Sequence, residues 1–286
     1  MPIRRFALTF ALIAAFLLMI ISSPLSAKAQ SAEELPIQDN SFLIEEAYNQ
    51  EAGVVQHINT FTRIWNSNDW EYTFTQEWPL PMDWRHQLSY TVAGVSSGSH
   101  PAAGAGFGDV ALNYRYQLVG TGETRTAFAP RLTLLLPSGS AKDDRGFGGM
   151  GWQTNLPLSV VISRRVVTHW NLGGTLVPHS SDGLGHHATV SGYNFGQSTI
   201  WLMRQNFNLM LETAYTGCES VTGTQRTAWS NSFLVSPGIR WAWNLSHGLQ
   251  IVPGVAVPVG VGPSRGQKGV YAYLSFEHPF RSTRPR

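Results

Sequence analysis

Large apolar and polar side chains alternate with a period of two residues along most of this chain. In residues 70–78 (WEYTFTQEW) the even positions are mostly aromatic and the odd positions are polar. The same period recurs in residues 84–92 and 110–118. Because successive side chains of a strand point to opposite faces, each segment predicts a β-strand with one apolar and one polar face.

The alternation and its interruptions predict strands of about ten residues, the length that crosses a membrane at a tilt. The predicted strands are residues 54–65, 70–80, 84–95, 107–118, 126–137, 152–163, 166–177, 189–203, 207–216, 231–243, 249–259 and 268–280. The chain is therefore expected to be all-β, a transmembrane antiparallel up-and-down β-barrel of about 12 strands.

The predicted connections are alternately short and long. Short connections are residues 81–83, 120–125, 164–165, 205–206 and 244–248, and long ones are residues 96–106, 138–151, 178–187, 217–230 and 260–267. Bacterial barrels place short turns in the periplasm and long loops outside the cell. The long connections are therefore expected at the external end, and both chain termini in the periplasm.

Tryptophans are expected at the two rims of this barrel. Trp65 and Trp70 flank the first external connection, while Trp78 and Trp84 flank the first internal turn. Aromatic girdles at both membrane interfaces are typical of such barrels. The alternative is a soluble β-sandwich, which would bury its aromatic face but would not need alternating connection lengths.

The N-terminus predicts export. Arg4 and Arg5 precede an apolar run over residues 6–21, and residues 27–29 (AKA) form a small-residue cleavage site, so residues 1–29 are expected to be a cleaved signal peptide. Residues 30–53 would form a periplasmic N-terminal arm or plug, residues 54–280 the outer-membrane β-barrel and residues 281–286 a C-terminal tail. Within the arm, residues 42–50 (FLIEEAYNQ) suit a short helix or strand-like segment in the lumen, or an ordered periplasmic tail.

Composition agrees with a membrane barrel. The 286 residues include 13% charged and 12% aromatic side chains, which is poor in charge for a soluble surface. The mean hydropathy of -0.10 does not argue against a bilayer, because alternation hides an apolar face in the average. With a net charge of +2 and no basic stripe, nucleic acid is not an expected partner.

The C-terminal segment and one internal segment resemble known proteins. Residues 270–280 alternate and end on Phe280, which resembles the signal read by the outer-membrane barrel-assembly machinery, although His278 replaces the usual apolar residue. Residues 106–116 (GFGDVALNYRY) and 130–139 (PRLTLLLPSG) resemble an outer-membrane transporter family associated with the meta-pathway of phenol degradation. That resemblance implies passage of small molecules, aromatic or hydrophobic ones among them.

Seven charged residues are predicted on inward faces and are the candidates for lining the lumen. They are Glu71, Glu77, Arg85, Arg115, Arg131, Glu212 and Arg240. Charges inside a barrel either pair across strands or contact solute. If residues 81–83 form a three-residue turn, Glu77 lies diagonal to Arg85, within reach of an ion pair.

The remaining chemistry is sparse. His179, Asp182, His186 and His187 lie in one predicted loop and are weak metal candidates, for which a hydrated loop is the simpler interpretation. No cofactor or enzymatic activity is expected. The sequence predicts a channel or transporter for small molecules in the bacterial outer membrane, with the lipid bilayer, the assembly machinery and a solute as partners. The alternatives are a structural or interaction barrel with long surface loops, and an outer-membrane lipid hydrolase, which needs Ser and His to converge at one rim.

Overall fold

The computed structural model describes residue 37 and residues 39–67, 69–80, 83–98 and 101–280. The predicted signal peptide, the first residues of the arm and the C-terminal tail lie outside the described residues. Short 3-10 helices cover Pro101–Ala103, Ala141–Asp143, Ser246–Gly248 and Gly262–Ser264. Over the described ranges, no helix is long and apolar enough to cross a membrane.

Twelve strands run through the described residues, and five of them consist of two segments. They are β1 (Val54–Ile64), β2 (Trp70–Leu80), β3 (Asp83–Ser96), β4 (Gly106–Phe107 and Val110–Tyr116), β5 (Thr126–Phe128 and Arg131–Leu136), β6 (Gly151–Asn155 and Leu158–Ser163), β7 (Val166–Ser181), β8 (His187–Arg204), β9 (Phe207–Gly223), β10 (Arg226–Trp241 and Trp243–Asn244), β11 (Gln250–Ala256 and Val259–Gly260) and β12 (Gly269–Pro279).

The strands close into an antiparallel barrel. Each strand pairs with its neighbour in sequence, and β1 also pairs with β12 in an unbroken register from Val54 opposite Pro279 to Ile64 opposite Gly269. Closure pairs the backbone groups of the first and last strands, as a hydrocarbon environment requires. The all-β, up-and-down barrel expected from the alternation is confirmed.

Burial in this barrel is inverted relative to a soluble protein. On β4, Leu112 and Tyr114 are 44% and 38% exposed, whereas Asn113 and Arg115 are 5% and 2% exposed. A soluble sandwich would bury the apolar side chains instead. The apolar outer face and polar inner face are what lipid outside and a hydrophilic lumen demand.

The hairpin between β9 and β10 corrects one predicted connection. Residues 217–230 were expected as a long loop, but β9 continues to Gly223 and β10 begins at Arg226, leaving residues 224–225 as the turn. The register runs without a break from Gly217 opposite Asn231 to Val221 opposite Thr227. Residues 217–230 lack a regular apolar face, so their sequence resembles a loop. The strands can still pair there, because the ladder is formed by backbone groups and does not require an apolar face.

Three predicted continuous strands are interrupted by proline. β5 breaks before Arg131 at Pro130, β6 breaks at Pro157, and β11 breaks at Pro258. Proline has no backbone N–H and cannot complete the ladder at that position. The interruptions lie opposite each other in β5 and β6, where Ala129 donates its backbone N–H to Pro157 O at 3.2 Å.

Candidate functional site

Residues 39–50, the lumenal arm, lie against the inward-facing side chains of the barrel. No helix or strand occurs in this part of the described chain. The buried side chains of the arm are Asp39, Ser41, Phe42, Ile44, Glu46, Ala47, Tyr48 and Gln50. The arm bends at residues 42–44 and 47, and most of its backbone hydrogen bonds go to side chains of the wall.

Alternate backbone N–H groups of the arm are bound by side chains of the wall. Leu43 N donates to Glu212 Oε1 at 3.1 Å, Glu45 N to Asn171 Oδ1 at 2.8 Å, Ala47 N to Ser159 Oγ at 2.8 Å, and Asn49 N to Gln117 Oε1 at 2.9 Å. Three of these acceptors lie on β9, β7 and β6, and the fourth, Gln117, directly follows β4. A buried N–H without an acceptor costs about 1–3 kcal/mol, so this ladder holds the arm in one path.

The carbonyl groups of the arm are bound as well. Arg240 Nη1 donates to Asp39 O at 2.6 Å and to Asn40 O at 2.8 Å. Tyr271 donates its hydroxyl to Phe42 O at 2.7 Å. The arm therefore meets complementary donors and acceptors along its whole length.

Two buried carboxyl groups of the arm have altered proton affinity. Burial raises the pKa of Asp39, opposed by the charge of Arg240 and by hydrogen bonds from Ser275 and Tyr273. Burial also raises the pKa of Glu46 well above its ordinary value, and the neighbouring Asp39 adds to the rise. The pKa of each of these docked carboxyls lies above that of the same group in the free arm. The contribution of these two groups to docking is therefore present at low pH and is lost as the pH rises through the docked pKa.

Two wall arginines meet one carboxylate of the arm. Arg115 Nη1 lies 3.2 Å from Glu45 Oε1, and Arg131 Nε lies 3.4 Å from Glu45 Oε2. Arg115 Nη2 also lies 3.4 Å from Glu77 Oε2 on β2. Asn155 Nδ2 donates to Glu45 Oε2 at 2.7 Å.

The seven predicted lumen residues divide into two groups. Five lie beside the arm: Glu77, Arg115, Arg131, Glu212 and Arg240. Glu71 is exposed instead and borders cavities at the long-loop end of the barrel. Arg85 is also exposed, with its guanidinium 5.7 Å from the ring centre of Trp84.

The predicted ion pair between Glu77 and Arg85 is not formed. A shift in register between Pro79 and Leu80 sets Leu80 opposite Asp83, not opposite Trp84. Glu77 instead reaches Arg115 on β4. A regular three-residue turn would place Glu77 diagonal to Arg85, whereas the observed register sets Glu77 opposite Ser89.

The arm supplies partners that were missed in the sequence. Asp39 and Glu45 bring two carboxylates into contact with wall side chains, and the buried Glu46 lies in the field of Arg240 and Arg115. The available signal was the charge count: the predicted inward faces carry four arginines against three glutamates, and residues 39–50 add three acidic residues and no basic one.

We expect Glu212→Ala to loosen the arm, because it leaves the Leu43 N–H without its acceptor. A penalty of about 1–3 kcal/mol corresponds to backbone exchange roughly 5- to 150-fold faster in residues 41–48. Hydrogen–deuterium exchange measures this directly. Glu212→Gln keeps an acceptor oxygen and is the matched control; equal exchange in both variants would contradict the role of this hydrogen bond.

One Ser–His pair occurs under the arm. Ser159 Oγ lies 2.6 Å from His169 Nδ1, and the two residues are 1% and 2% exposed. Ser159 also accepts the N–H of Ala47, so the pair positions the arm. A lipid hydrolase needs such a pair at a rim that lipid reaches, and this pair is enclosed in the lumen.

The four weak metal candidates do not share one loop, because His179 lies on β7 and His187 begins β8, while Asp182 and His186 lie in the turn between them. His186 Nδ1 lies 2.6 Å from Asp182 Oδ2. Hydrogen bonds from His186 and from the backbone of Leu184 lower the pKa of the Asp182 carboxyl. Across the described ranges, no group of three or more His, Cys, Asp or Glu side chains converges as metal ligands would.

Two neighbouring cavities lead towards the arm from the long-loop end. The mouth cavity, about 730 Å³, lies beneath residues 138–150, which are held by Asp109 through the N–H groups of Gly139 and Phe147. The inner chamber, about 430 Å³, is bounded by the arm and by wall threonines and amides. Cys218 borders both cavities.

Comparison with known proteins gives likeness in fold. An outer membrane channel from Pseudomonas putida F1 is 12% identical over 81% of this chain and 97% of that chain, with a TM-score of 0.59. The NanC porin is 9% identical over 77% of this chain and 98% of that chain, with a TM-score of 0.50. No protein-family model and no curated protein matches, so the resemblance to phenol-degradation transporters stays a prediction. The chain has the barrel fold of outer-membrane channels and porins.

Proposed function

We propose that this protein is a bacterial outer-membrane channel for small solutes. Its lumen is closed when the lumenal arm is bound to the wall. The observation that carries the proposal is the bonding of the arm backbone to side chains of the wall. Likeness in fold to an outer membrane channel and to a porin supports it. The strand number also supports the proposal. Barrels of about 8 strands are filled by their own side chains, and those of about 16 strands leave an open pore. A barrel of 12 strands lies between these sizes and has room in its lumen for an additional segment of chain.

The lining of the inner chamber mixes polar and apolar groups. Hydroxyl and amide groups border it, among them Thr75, Gln153 and Asn194, together with apolar side chains such as Ile58 and Leu43. The polar groups can replace part of the hydration of a solute, so the chamber also offers contacts to solutes that carry polar groups.

A reversible disulfide between the arm and the wall tests the proposal. Ser41 Oγ and Ser198 Oγ are 3.0 Å apart, so Ser41→Cys with Ser198→Cys brings two sulfurs close to a bond of about 2.05 Å. Native Cys218 is replaced by Ser to prevent exchange. We expect the oxidised protein to block uptake of a small neutral sugar by liposomes, and reduction to restore it.

Each single-cysteine variant is the control, and neither should respond to reductant. Equal uptake before and after reduction would show that the arm does not close the path. Absence of uptake in the reduced protein, with the barrel still folded by its heat-dependent gel mobility, would contradict the channel function and favour a structural barrel.

A further inference from the structure

The wall residues around Glu45 form a site shaped for a carboxylate. Both oxygens of the Glu45 side chain are engaged: Oε1 by Arg115, and Oε2 by Arg131 and Asn155. Guanidinium groups match the planar geometry of a carboxylate, and an amide N–H completes the set of donors. The three groups lie on adjacent strands β4, β5 and β6.

The register makes this arrangement costly without an anion. Arg115 stands directly opposite Arg131 in the ladder, and Arg131 stands directly opposite Asn155. Like charges directly across a strand pair are destabilising. With Glu45 removed, Glu77 is the carboxylate that remains in contact with Arg115 in the described part of the wall, so two guanidinium groups face one carboxylate.

Arg131 also has donors to spare. Its buried Nε makes no hydrogen bond to any described residue, despite lying near Glu45, and its Nη2 reaches Gln153 Oε1 only at 3.5 Å. The side chain is 24% exposed and borders the inner chamber. A solute arriving through the chamber therefore meets Arg131 before it meets the more deeply buried Arg115.

We propose that Arg115, Arg131 and Asn155 form a binding site for solutes that carry a carboxylate, and that Glu45 of the arm occupies this site as an internal ligand. Such a solute takes the place of Glu45 and favours withdrawal of the arm. The inference deepens the proposed function and rests on it, because it names the class of solute that the channel takes.

The test compares uptake of succinate with uptake of its neutral diamide, succinamide, by liposomes containing the full chain. We expect wild-type protein to favour succinate. Glu45→Gln weakens the internal ligand and preserves its shape. It should raise the ratio of succinate uptake to succinamide uptake roughly 2- to 10-fold, because a charge-assisted hydrogen bond is about twice as strong as a neutral one. Arg131→Gln should bring the ratio close to that of free diffusion.

Two further variants separate this site from general effects of charge. Arg131→Lys keeps the charge but loses the fork of donors, so we expect an intermediate ratio. Arg85→Gln removes an exposed arginine remote from Glu45 and should leave the wild-type ratio unchanged. If Arg131→Gln assembles poorly, Arg131→Lys and Glu45→Gln still decide the question.

The outcomes distinguish the two proposals. A ratio that is the same in wild type, Glu45→Gln and both Arg131 variants, with succinamide still entering, overturns the carboxylate site and leaves the channel intact. Failure of both solutes to enter through any folded variant overturns the channel and this inference with it.

Discussion

Deletion of residues 37–50 is expected to raise the single-channel conductance of the barrel on the order of tenfold. The reason is that the segment lying in the lumen, and not the barrel wall, sets the narrowest part of the path. The arm fills the lumen through contacts with most of the strands, among them Gln87 on β3, Asn171 on β7 and Arg240 on β10. Its removal adds the space that the arm occupies to the inner chamber, which the arm now bounds. Planar-bilayer recording of the refolded proteins measures the change.

The barrel is expected to survive this deletion. Its hydrogen-bonded ladder is closed by β1 and β12 and contains no residue of the arm. The charges left behind become hydrated once water fills the lumen, and Arg115 keeps its contact with Glu77. A variant in which residues 37–50 are replaced by a Gly/Ser segment of equal length is the matched control, since it retains the chain but none of the side-chain contacts. Conductance unchanged by both variants would show that the arm does not obstruct the path.

Leu112→Arg is expected to impair assembly strongly, whereas Thr91→Arg is expected to be tolerated. Leu112 is 44% exposed on the outer face of β4, and Thr91 borders the inner chamber from β3. An arginine on the lipid face near the bilayer midplane costs roughly 2–4 kcal/mol, which lowers the ratio of folded to unfolded protein roughly 30- to 700-fold. An arginine in the lumen stays in contact with water.

Refolding into detergent or lipid, followed by gel electrophoresis with and without heating, measures the folded fraction of each variant. The pair is well matched because Ala111 stands opposite Thr91, so the two substitutions lie at nearly the same height in adjacent strands. Equal loss of assembly in both variants would contradict the assignment of inner and outer faces.

The alternation of side chains determined the fold class and the faces. In residues 110–116 the sequence alone assigns Leu112 to the outside and Asn113 to the inside, and the structure agrees. This information is local, because a strand repeats every two residues whatever its neighbours are. The same locality explains the error at residues 217–230, where small polar side chains concealed a strand that pairing extends.

Tertiary structure alone decided the contents of the lumen. Glu45 meets Arg115, which is 70 residues away in sequence, and Leu43 meets Glu212, which is 169 residues away. No local pattern encodes these contacts, because they depend on closure of the barrel and on the register that sets Arg115 opposite Arg131. The sequence by itself determined a barrel with an acidic segment before it and arginines on its inner face. Only the closed barrel determined that the segment docks among those arginines, since burial of charge is stabilised by partners that closure brings together.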